Sequence, residues 1–236
     1  MTRQRLKFYL AGVVSVAAFV VYLGALQNEF LQWDDNLYIV ENHRIRSLNA
    51  AFFSWAFFDF YAGNWHPLTW ISHALDYAIW GLNPLGHHLT NIILHSLNTF
   101  VVVVLVLRLL EARNHTPSPP PSPLKGEGHI LSPPLRGGDK REGEPYGRTA
   151  TFLDARGIMI AAATTGLLFG LHPLHVESVA WVSERKDLLC ALFFLLSIMM
   201  YVRYAGRGGP LWTPKEGQPQ WVAPTKNDLG QSSGPQ

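Results

Sequence analysis

The sequence is poor in charge and almost without cysteine. Asp, Glu, Lys and Arg make up 15% of its 236 residues, while 48% are hydrophobic. An average soluble domain has about 25% charged residues, so this composition argues against an ordinary soluble protein. The one cysteine, Cys190, cannot form an internal disulfide and therefore gives no information about the redox compartment.

The apolar residues are concentrated in four runs, at 6–26, 89–110, 157–174 and 188–204. Crossing the hydrocarbon of a bilayer takes about 20 apolar residues, with a range of roughly 17 to 25. The sequence therefore predicts an all-α polytopic membrane protein with about four transmembrane helices. The first run could instead be a cleaved signal peptide, but it is longer than the apolar region of a signal and lacks a small-residue cleavage site, which favours a retained anchor.

Lysine and arginine are concentrated at the N-terminus, between the second and third runs, and after the fourth run. By the positive-inside rule these regions face the cytoplasm, so the N-terminus is predicted to be cytoplasmic and the segments 27–86 and 175–187 to face outward. The net charge of +2 is spread over these flanks and forms no basic stripe. No nucleic-acid partner is expected.

The first outer loop is unusually aromatic. Its stretches 50–58 and 68–80 are too short to span the membrane and are predicted to be amphipathic helices in the membrane interface. Two adjacent carboxylates, Asp34 and Asp35, lie just past the outer end of the first run. Carboxylates at the membrane surface are either solvated loop charges or part of a site that acts on something lipid-borne.

The composition divides the chain into four parts. Residues 1–114 form a first membrane half with two spans and the outer loop, and residues 149–205 form a second half with two spans. Between them, 115–148 is rich in Pro, Gly and Ser and is predicted to be a disordered cytoplasmic insertion. The polar tail 206–236 is also predicted to be disordered.

Polar residues recur inside and beside the spans. In the second run His87, Asn91, His95 and Asn98 lie on one helical face, which fits either interhelical hydrogen bonds or a functional cavity. The turn 171–187 contains His172, His175, Glu177, Arg185 and Lys186. A zinc site at the two histidines is disfavoured because their spacing is not a zinc signature. Arg185 and Lys186 are the usual side chains for binding a phosphate, although a solvated charged turn is the alternative for them alone.

Four ordered motifs resemble a known family: WDDNLY at 33–38, NWHPLTW at 64–70, GLNPLGHHLTN at 81–91 and HPLHVESVAWVSERKD at 172–187. They resemble the N-terminal membrane region of bacterial tetratricopeptide-repeat membrane proteins. Those are similar to the transmembrane and tetratricopeptide-repeat O-mannosyltransferases of eukaryotes, members of the C-type glycosyltransferase superfamily.

The resemblance implies a glycosyltransferase that moves a sugar, mannose or a similar one, from a polyprenyl-phosphate carrier to an acceptor hydroxyl on the outer face of a bacterial inner membrane. It implies that an acidic residue of the first outer loop is the key catalytic group, which Asp34 would match with Asp35 beside it, and a carboxylate there can act as general base. The expected substrate-binding residues are His66, His87, His172, His175, Glu177, Arg185 and Lys186. No cofactor is expected, and a divalent metal at Asp34 and Asp35 is not favoured.

The sequence also departs from that family. No repeat of about 34 residues, the length of a tetratricopeptide repeat, is visible. Relatives continue through more spans, so the chain is expected to be a fragment of a longer reading frame. The alternative function is that of a non-catalytic membrane fragment or assembly protein that retains only the family signature.

Overall fold

The computed structural model describes residues 3–115 and 153–205. Seven α-helices account for most of them: α1 (Arg3–Tyr22), α2 (Ala50–Phe58), α3 (Pro67–Trp80), α4 (Pro84–His115), α5 (Ala155–Leu171), α6 (His175–Ala180) and α7 (Arg185–Ala205). Within these ranges there is no β-strand, so the prediction of an all-α protein is confirmed. Apart from His115, the Pro-rich insertion and the polar tail lie outside the described residues, and the prediction that they are disordered stays a prediction.

Three of the helical segments are long and apolar enough to cross a membrane: Gln4–Gln27, Pro84–Arg113 and Val182–Tyr204. The third predicted run, 157–174, corresponds to α5, which has 17 residues and is shorter than the other three helical segments. The membrane character of the chain is therefore supported by three helices, and a fourth span remains a prediction.

Helix α4 is the centre of the bundle, with α1, α5 and α7 packed around it. Below its polar outer half, α4 contributes Val103, Val104 and Leu107 to a core shared with α1 and α5. The α4–α5 contact is close because α5 presents small residues to it. A Cβ atom added at Gly166 would lie 2.2 Å from a methyl carbon of Val103, and one at Gly170 would lie 2.9 Å from Thr99. Glycines four residues apart are the usual way for membrane helices to approach this closely.

The first outer loop folds over the outer end of this bundle and has a core of its own. Helices α2 and α3 pack together around Trp55 and Trp70, which are 4% and 0% exposed. Val182, just before α7, belongs to the same cluster. The loop is thus attached to the start of the last described helix. The position of α2 and α3 in a membrane interface remains a prediction.

The polar face of α4 points into the protein. Asn91 donates to the backbone carbonyls of Val179 and Trp181, and Asn98 donates to that of Leu188 at 2.9 Å. A ring nitrogen of His95 lies 2.9 Å from the carbonyl oxygen of Gly170. Of the two explanations that the sequence left open for these residues, interhelical hydrogen bonding accounts for three of the four.

Candidate functional site

The two adjacent carboxylates of the first loop have different environments. Asp35 is fully buried and accepts hydrogen bonds from the backbone N–H of Leu31 and the backbone N–H of Ser183, each at 2.9 Å. The hydroxyl of Ser183 donates to the same carboxylate. Ser183 follows Asp35 by 148 positions in the sequence. The contact therefore joins the turn after α1 to the turn before α7.

Asp34 is half-buried, and among the described residues its carboxylate has no hydrogen bond or ion pair. It lies near Tyr38, whose pKa is raised mainly by burial and next by the negative charge of Asp34. The charges of Lys186 and Glu184 also act on Tyr38, so the Tyr38 hydroxyl is within electrostatic reach of three charged side chains. The hydroxyl of Tyr38 accepts a hydrogen bond of 2.6 Å from Asn64. The Asp34 carboxylate is therefore available to a ligand.

Lys186 and His66 complete this group. The ammonium of Lys186 contacts Glu184 at 2.7 Å, and about a third of the Lys186 side chain, 33%, remains exposed. The ring of His66 lies 5.7 Å from that of Tyr38 and 4.4 Å from that of Trp70. Burial, and then the charge of Lys186, lower the pKa of His66, which favours a neutral imidazole. We call Asp34, Tyr38, His66, Glu184 and Lys186 the outer patch.

Arg185 lies beneath the outer patch and is completely buried. Its guanidinium forms an ion pair of 2.5 Å with Asp76, and it donates from Nε to Asn91 at 2.8 Å. It also donates to the backbone carbonyl of His87 at 2.7 Å and to the hydroxyl of Ser72 at 3.2 Å. A buried ion pair is tolerated when further hydrogen bonds satisfy its donors, and Arg185 meets that condition. It holds α3, α4 and α7 together.

Asp76 has a second partner on α4. Its carboxylate accepts a hydrogen bond of 2.7 Å from the hydroxyl of Thr90, and its other oxygen lies 3.6 Å from Nδ1 of His87. The other ring nitrogen of His87 lies 3.0 Å from the carbonyl oxygen of Gly81. Both ring nitrogens of His87 therefore lie near groups of the protein itself, the Asp76 carboxylate and the Gly81 carbonyl.

His73 lies on α3 with no exposed surface, and neither ring nitrogen has a hydrogen-bond partner among the described residues. Its pKa is well below the usual value, first because of burial and then because of the positive charge of Arg185. The imidazole is therefore neutral at physiological pH.

The remaining predicted site residues form a separate group around α6. His175 packs against Phe169 and His95, with ring centroids 4.6 Å and 5.3 Å away, and it lies 6.4 Å from His172. Burial, and next the proximity of His172, lower the pKa of His175. Glu177 is exposed. In the part of the chain that the structure describes, no hydrogen bond, ion pair or ring contact joins this group to the outer patch.

The structure thus divides the residues that the sequence singled out. Asp34, His66 and Lys186 come together at the outer patch, Asp35, His87 and Arg185 are buried beside or beneath it, and His172, His175 and Glu177 lie around α6. The roles assigned to these residues stay predictions. Among residues 3–115 and 153–205, no group of three His, Cys, Asp or Glu side chains could hold a metal ion.

Sequence reasoning missed four residues of this region: Tyr38, Asp76, Ser183 and Glu184. Three of them, Tyr38, Ser183 and Glu184, belong to the motifs at 33–38 and 172–187. Nothing in their side-chain type or spacing distinguished them from the other residues of those motifs. Asp76 did carry a signal, because an acidic residue in the middle of an aromatic-rich helix needs a buried partner.

Proteins with related sequences are protein O-mannosyl-transferases. The chain is 28% identical over 205 residues to Protein O-mannosyl-transferase Tmtc1 of Drosophila melanogaster and 29% identical over 206 residues to human TMTC4, each match covering 83% of the chain. It is 27% identical over 207 residues to mouse TMTC2, across 84% of the chain.

The chain spans only about a fifth of the length of these relatives: 18%, 23% and 19% in the three cases. No protein-family model matches the chain. No solved structure matches it either. The bacterial origin stays a prediction. The resemblance to the O-mannosyltransferases of eukaryotes is confirmed: over most of its length the chain is homologous to the TMTC protein O-mannosyl-transferases.

Proposed function

We propose that this chain contains the outer-face site of a membrane glycosyltransferase, which moves a hexose such as mannose from a polyprenyl-phosphate carrier to an acceptor hydroxyl. The observation that supports this most strongly is the Asp34 carboxylate, which has no partner among the described residues. Its charge and that of Lys186 both act on Tyr38, whose ring lies 5.7 Å from that of His66. The relatives are named protein O-mannosyl-transferases, which gives the reaction class.

In this proposal Asp34 is the general base. The acceptor oxygen attacks the anomeric carbon while its proton passes to the Asp34 carboxylate. The bond between the anomeric carbon and the phosphate oxygen breaks, and its electron pair stays on the departing polyprenyl phosphate. Asp34 is suited to this step because no hydrogen bond from the described protein competes for its oxygens.

Lys186 stabilises the departing phosphate. Charge builds up on that group as the bond breaks, and a fixed cation placed nearby lowers the barrier. Lys186 is the partly exposed cation of the outer patch. The sequence assigned the phosphate to Arg185 as well, but Arg185 already has Asp76, Asn91, Ser72 and His87 as partners. We therefore propose that Arg185 is a positioning residue, which fixes the start of α7 and thereby Lys186.

His66 orients the phosphate or the sugar through its Nε2 atom. That atom is shielded from solvent and has no partner among the described residues. A neutral imidazole can donate or accept there according to its tautomer. We keep His87, His172, His175 and Glu177 as secondary substrate-binding candidates.

The proposed reaction takes place outside the cytoplasm. With a cytoplasmic N-terminus, as the distribution of Lys and Arg predicts, the turn after α1 and the turn before α7 both face outward. A polyprenyl-phosphate donor held in the outer leaflet would present its phosphate at the level of the outer patch. We propose the inner membrane of a bacterium as the location.

Transfer of a radiolabelled sugar from polyprenyl phosphate tests the proposal. Membranes that contain the protein expressed from its complete reading frame should release polyprenyl phosphate and label an acceptor, and membranes without it should not. Lys186→Met should slow this transfer by at least about tenfold, since electrostatic groups of this kind contribute factors of roughly 10²–10³ in rate. The matched control is Lys7→Met, which removes a lysine at the opposite end of the bundle, where Lys7 pairs with Glu111.

Equal transfer with and without the protein would contradict the glycosyltransferase proposal. If the wild type transfers sugar and Lys186→Met does so at the same rate, Lys186 has no role in the mechanism. Another cation would then have to stabilise the departing phosphate.

A further inference from the structure

The end of the bundle opposite the outer patch is basic. Helices α1 and α5 begin there, and α4 and α7 end there. Its described Lys and Arg side chains are Arg5, Lys7, Arg108, Arg113, Arg156 and Arg203. The described carboxylates at this end are those of Glu111 and Asp154, so the cations are in excess. The positive-inside rule predicts that this end faces the cytoplasm, where the leaflet carries anionic lipids.

A crevice of about 180 Å³ opens at this end between α1 and α4. Lys7 and Phe8 line one side, and Arg108 and Glu111 line the other. The volume is below the range of about 300–1,000 Å³ that drug-sized ligands occupy, so the crevice suits a single small group. Lys7 is already paired with Glu111. Arg108 is half-buried and has no hydrogen bond or ion pair to another described residue, so its guanidinium is available to an anion.

A groove on the outside of α1 adjoins the crevice. Phe8 lines both, and its ring stacks on that of Phe100 with centroids 6.4 Å apart and planes at 18°. Gly12 leaves the groove open, because nothing lies within 4 Å of a Cβ atom added there. Val13 and Val16 also line the groove and are 67% and 60% exposed. The groove is therefore an apolar surface that the described helices leave uncovered.

The length of the groove matches one leaflet of a bilayer. Its lining extends from Arg5 to Val16, which is about 16 Å along a helix that rises 1.5 Å per residue. Half of the hydrocarbon thickness of a bilayer is about 15 Å. Arg5 is exposed and has no ion-pair partner among the described residues. A lipid with an acyl chain in the groove would therefore hold its phosphate near Arg5 and Arg108.

Charge selects the class of lipid. The guanidinium groups of Arg5 and Arg108 attract a phosphodiester with a net negative charge. Each can bind two phosphate oxygens through parallel hydrogen bonds. A zwitterionic head group is attracted less, because its ammonium is repelled by the same cations. An apolar helix of another protein could cover the groove, but it would supply no anion to the two guanidinium groups.

We propose that the crevice and the groove bind one anionic phospholipid, whose phosphate lies at Arg5 and Arg108 and whose acyl chain lies over Gly12. The site is at the opposite end of the bundle from Asp34 and does not depend on the proposed transferase function. A lipid bound there joins the start of α1 to the end of α4.

Native mass spectrometry of the full chain released from detergent micelles tests the site, with dioleoyl phosphatidylglycerol as the probe. The wild type should bind one molecule of this lipid at least about tenfold more tightly than phosphatidylcholine with the same chains. Arg5→Gln/Arg108→Gln should bind it at least about tenfold more weakly, since one hydrogen bond between charged groups is worth about that factor or more. Neither arginine has an ion-pair partner among the described residues, so this double variant is expected to fold.

The matched control is Arg156→Gln/Arg203→Gln. It removes two exposed cations from the same end of the bundle, outside the crevice and the groove, and should bind phosphatidylglycerol like the wild type. Equal weakening in both double variants would overturn the site, because it would show that only the net charge of the protein attracts the lipid. Wild-type affinity in Arg5→Gln/Arg108→Gln would overturn it as well.

Gly12→Leu tests the groove separately from the head-group contact. The leucine fills open space without meeting another residue, so the protein should fold like the wild type. It should weaken binding of the dioleoyl lipid and leave binding of dihexanoyl phosphatidylglycerol unchanged, because Gly12 lies about 10 Å beyond Arg5 and short chains end before it. An equal effect on the two lipids would contradict the position of the acyl chain.

A cysteine at Val13 distinguishes a lipid in the groove from a second copy of the protein. In a background without Cys190, Val13→Cys should stay monomeric when membranes are treated with copper phenanthroline, because the acyl chain covers the groove. A disulfide-linked dimer would make the groove an interface between two copies and would overturn the lipid proposal.

Discussion

Ser183 donates its backbone N–H to the buried carboxylate of Asp35 at 2.9 Å, and its hydroxyl donates to the same group. Residues 148 positions apart in the chain are thereby joined at the outer end of the bundle. This contact fixes the turn that carries Asp34 relative to the turn that carries Lys186. The two proposed catalytic groups keep their relative position because the neighbours of each are bonded to one another.

Removing that carboxylate should destabilise the protein. In Asp35→Ala the backbone N–H and the hydroxyl of the fully buried Ser183 lose their acceptor. Each such group costs about 1–3 kcal/mol of folding free energy. We expect a lower apparent melting temperature in nanodiscs than for the wild type or for Asp59→Ala, which removes an exposed carboxylate from the same loop. Equal melting temperatures for all three proteins would contradict the structural role of Asp35.

The Asp76–Arg185 pair should behave as a unit. Arg185→Met leaves Asp76 buried without its cation, and breaking one side of a buried pair typically costs about 3–5 kcal/mol. Asp76→Leu together with Arg185→Met removes both charges and should recover part of the lost stability. The measurement is the apparent melting temperature of the single and double variants. A double variant that melts at or below the lower of the two single variants would show that the pair is not coupled.

A larger side chain at Gly166 should separate α5 from α4. Only hydrogen fits at this position, because a Cβ atom would lie 2.2 Å from Val103. Gly166→Leu should therefore lower the yield of folded protein, and Val103→Ala in the same chain should partly restore it by making room. Gly12→Leu is the matched control, since nothing lies within 4 Å of a Cβ atom there. Folded yield of Gly166→Leu equal to that of Gly12→Leu would contradict the packing.

Acid should destabilise the protein through His73. Its pKa is well below 6.5 in the folded state because of burial and the nearby charge of Arg185. The unfolded state therefore binds a proton that the folded state does not, and stability falls as the pH drops below about 6.5. His73→Leu should reduce this loss between pH 7.5 and pH 5.5, while replacement of the exposed His43 should not. The same pH dependence in His73→Leu and wild type would argue against a neutral buried imidazole.

Thiol labelling should report the orientation. In a background without Cys190, a cysteine at Asn64 or at Leu174 should react with an impermeant reagent in intact cells, and one at Ser122 should not. Leu174 is 79% exposed and suits this purpose. Ser183, later in the same turn, is unsuitable because it is fully buried against Asp35. Labelling at Ser122 with protection at Asn64 would reverse the predicted topology.

The helices were predictable from the sequence because their physical signals are local. Apolar runs of span length mark α1, α4 and α7, and the aromatic stretches at 50–58 and 68–80 correspond closely to α2 and α3. The periodic polar residues of α4 also indicated a face that packs against protein. The run at 157–174 predicted the length of α5 to within one residue, but the helix ends earlier, at Leu171, because Pro173 follows.

The partners of the site residues were not predictable from the sequence. Asp34 and Asp35 are adjacent and chemically identical, and only the fold shows that Ser183 engages one of them. Arg185 and Lys186 are likewise adjacent cations, of which one is buried against Asp76 and the other is partly exposed. These contacts join segments about 100 to 150 residues apart, beyond the reach of periodicity or spacing.

The most direct test of the account is the rate of sugar transfer by Asp34→Asn, compared with the wild type and Asp59→Asn at equal protein level. Asparagine keeps the shape of the side chain but cannot take up the proton of the acceptor hydroxyl. Loss of a general base lowers rates by about 10²- to 10⁴-fold. We predict a loss in that range for Asp34→Asn, with an unchanged melting temperature and full activity in Asp59→Asn. Transfer by Asp34→Asn at the wild-type rate would contradict the role of Asp34 and, with it, the proposed mechanism.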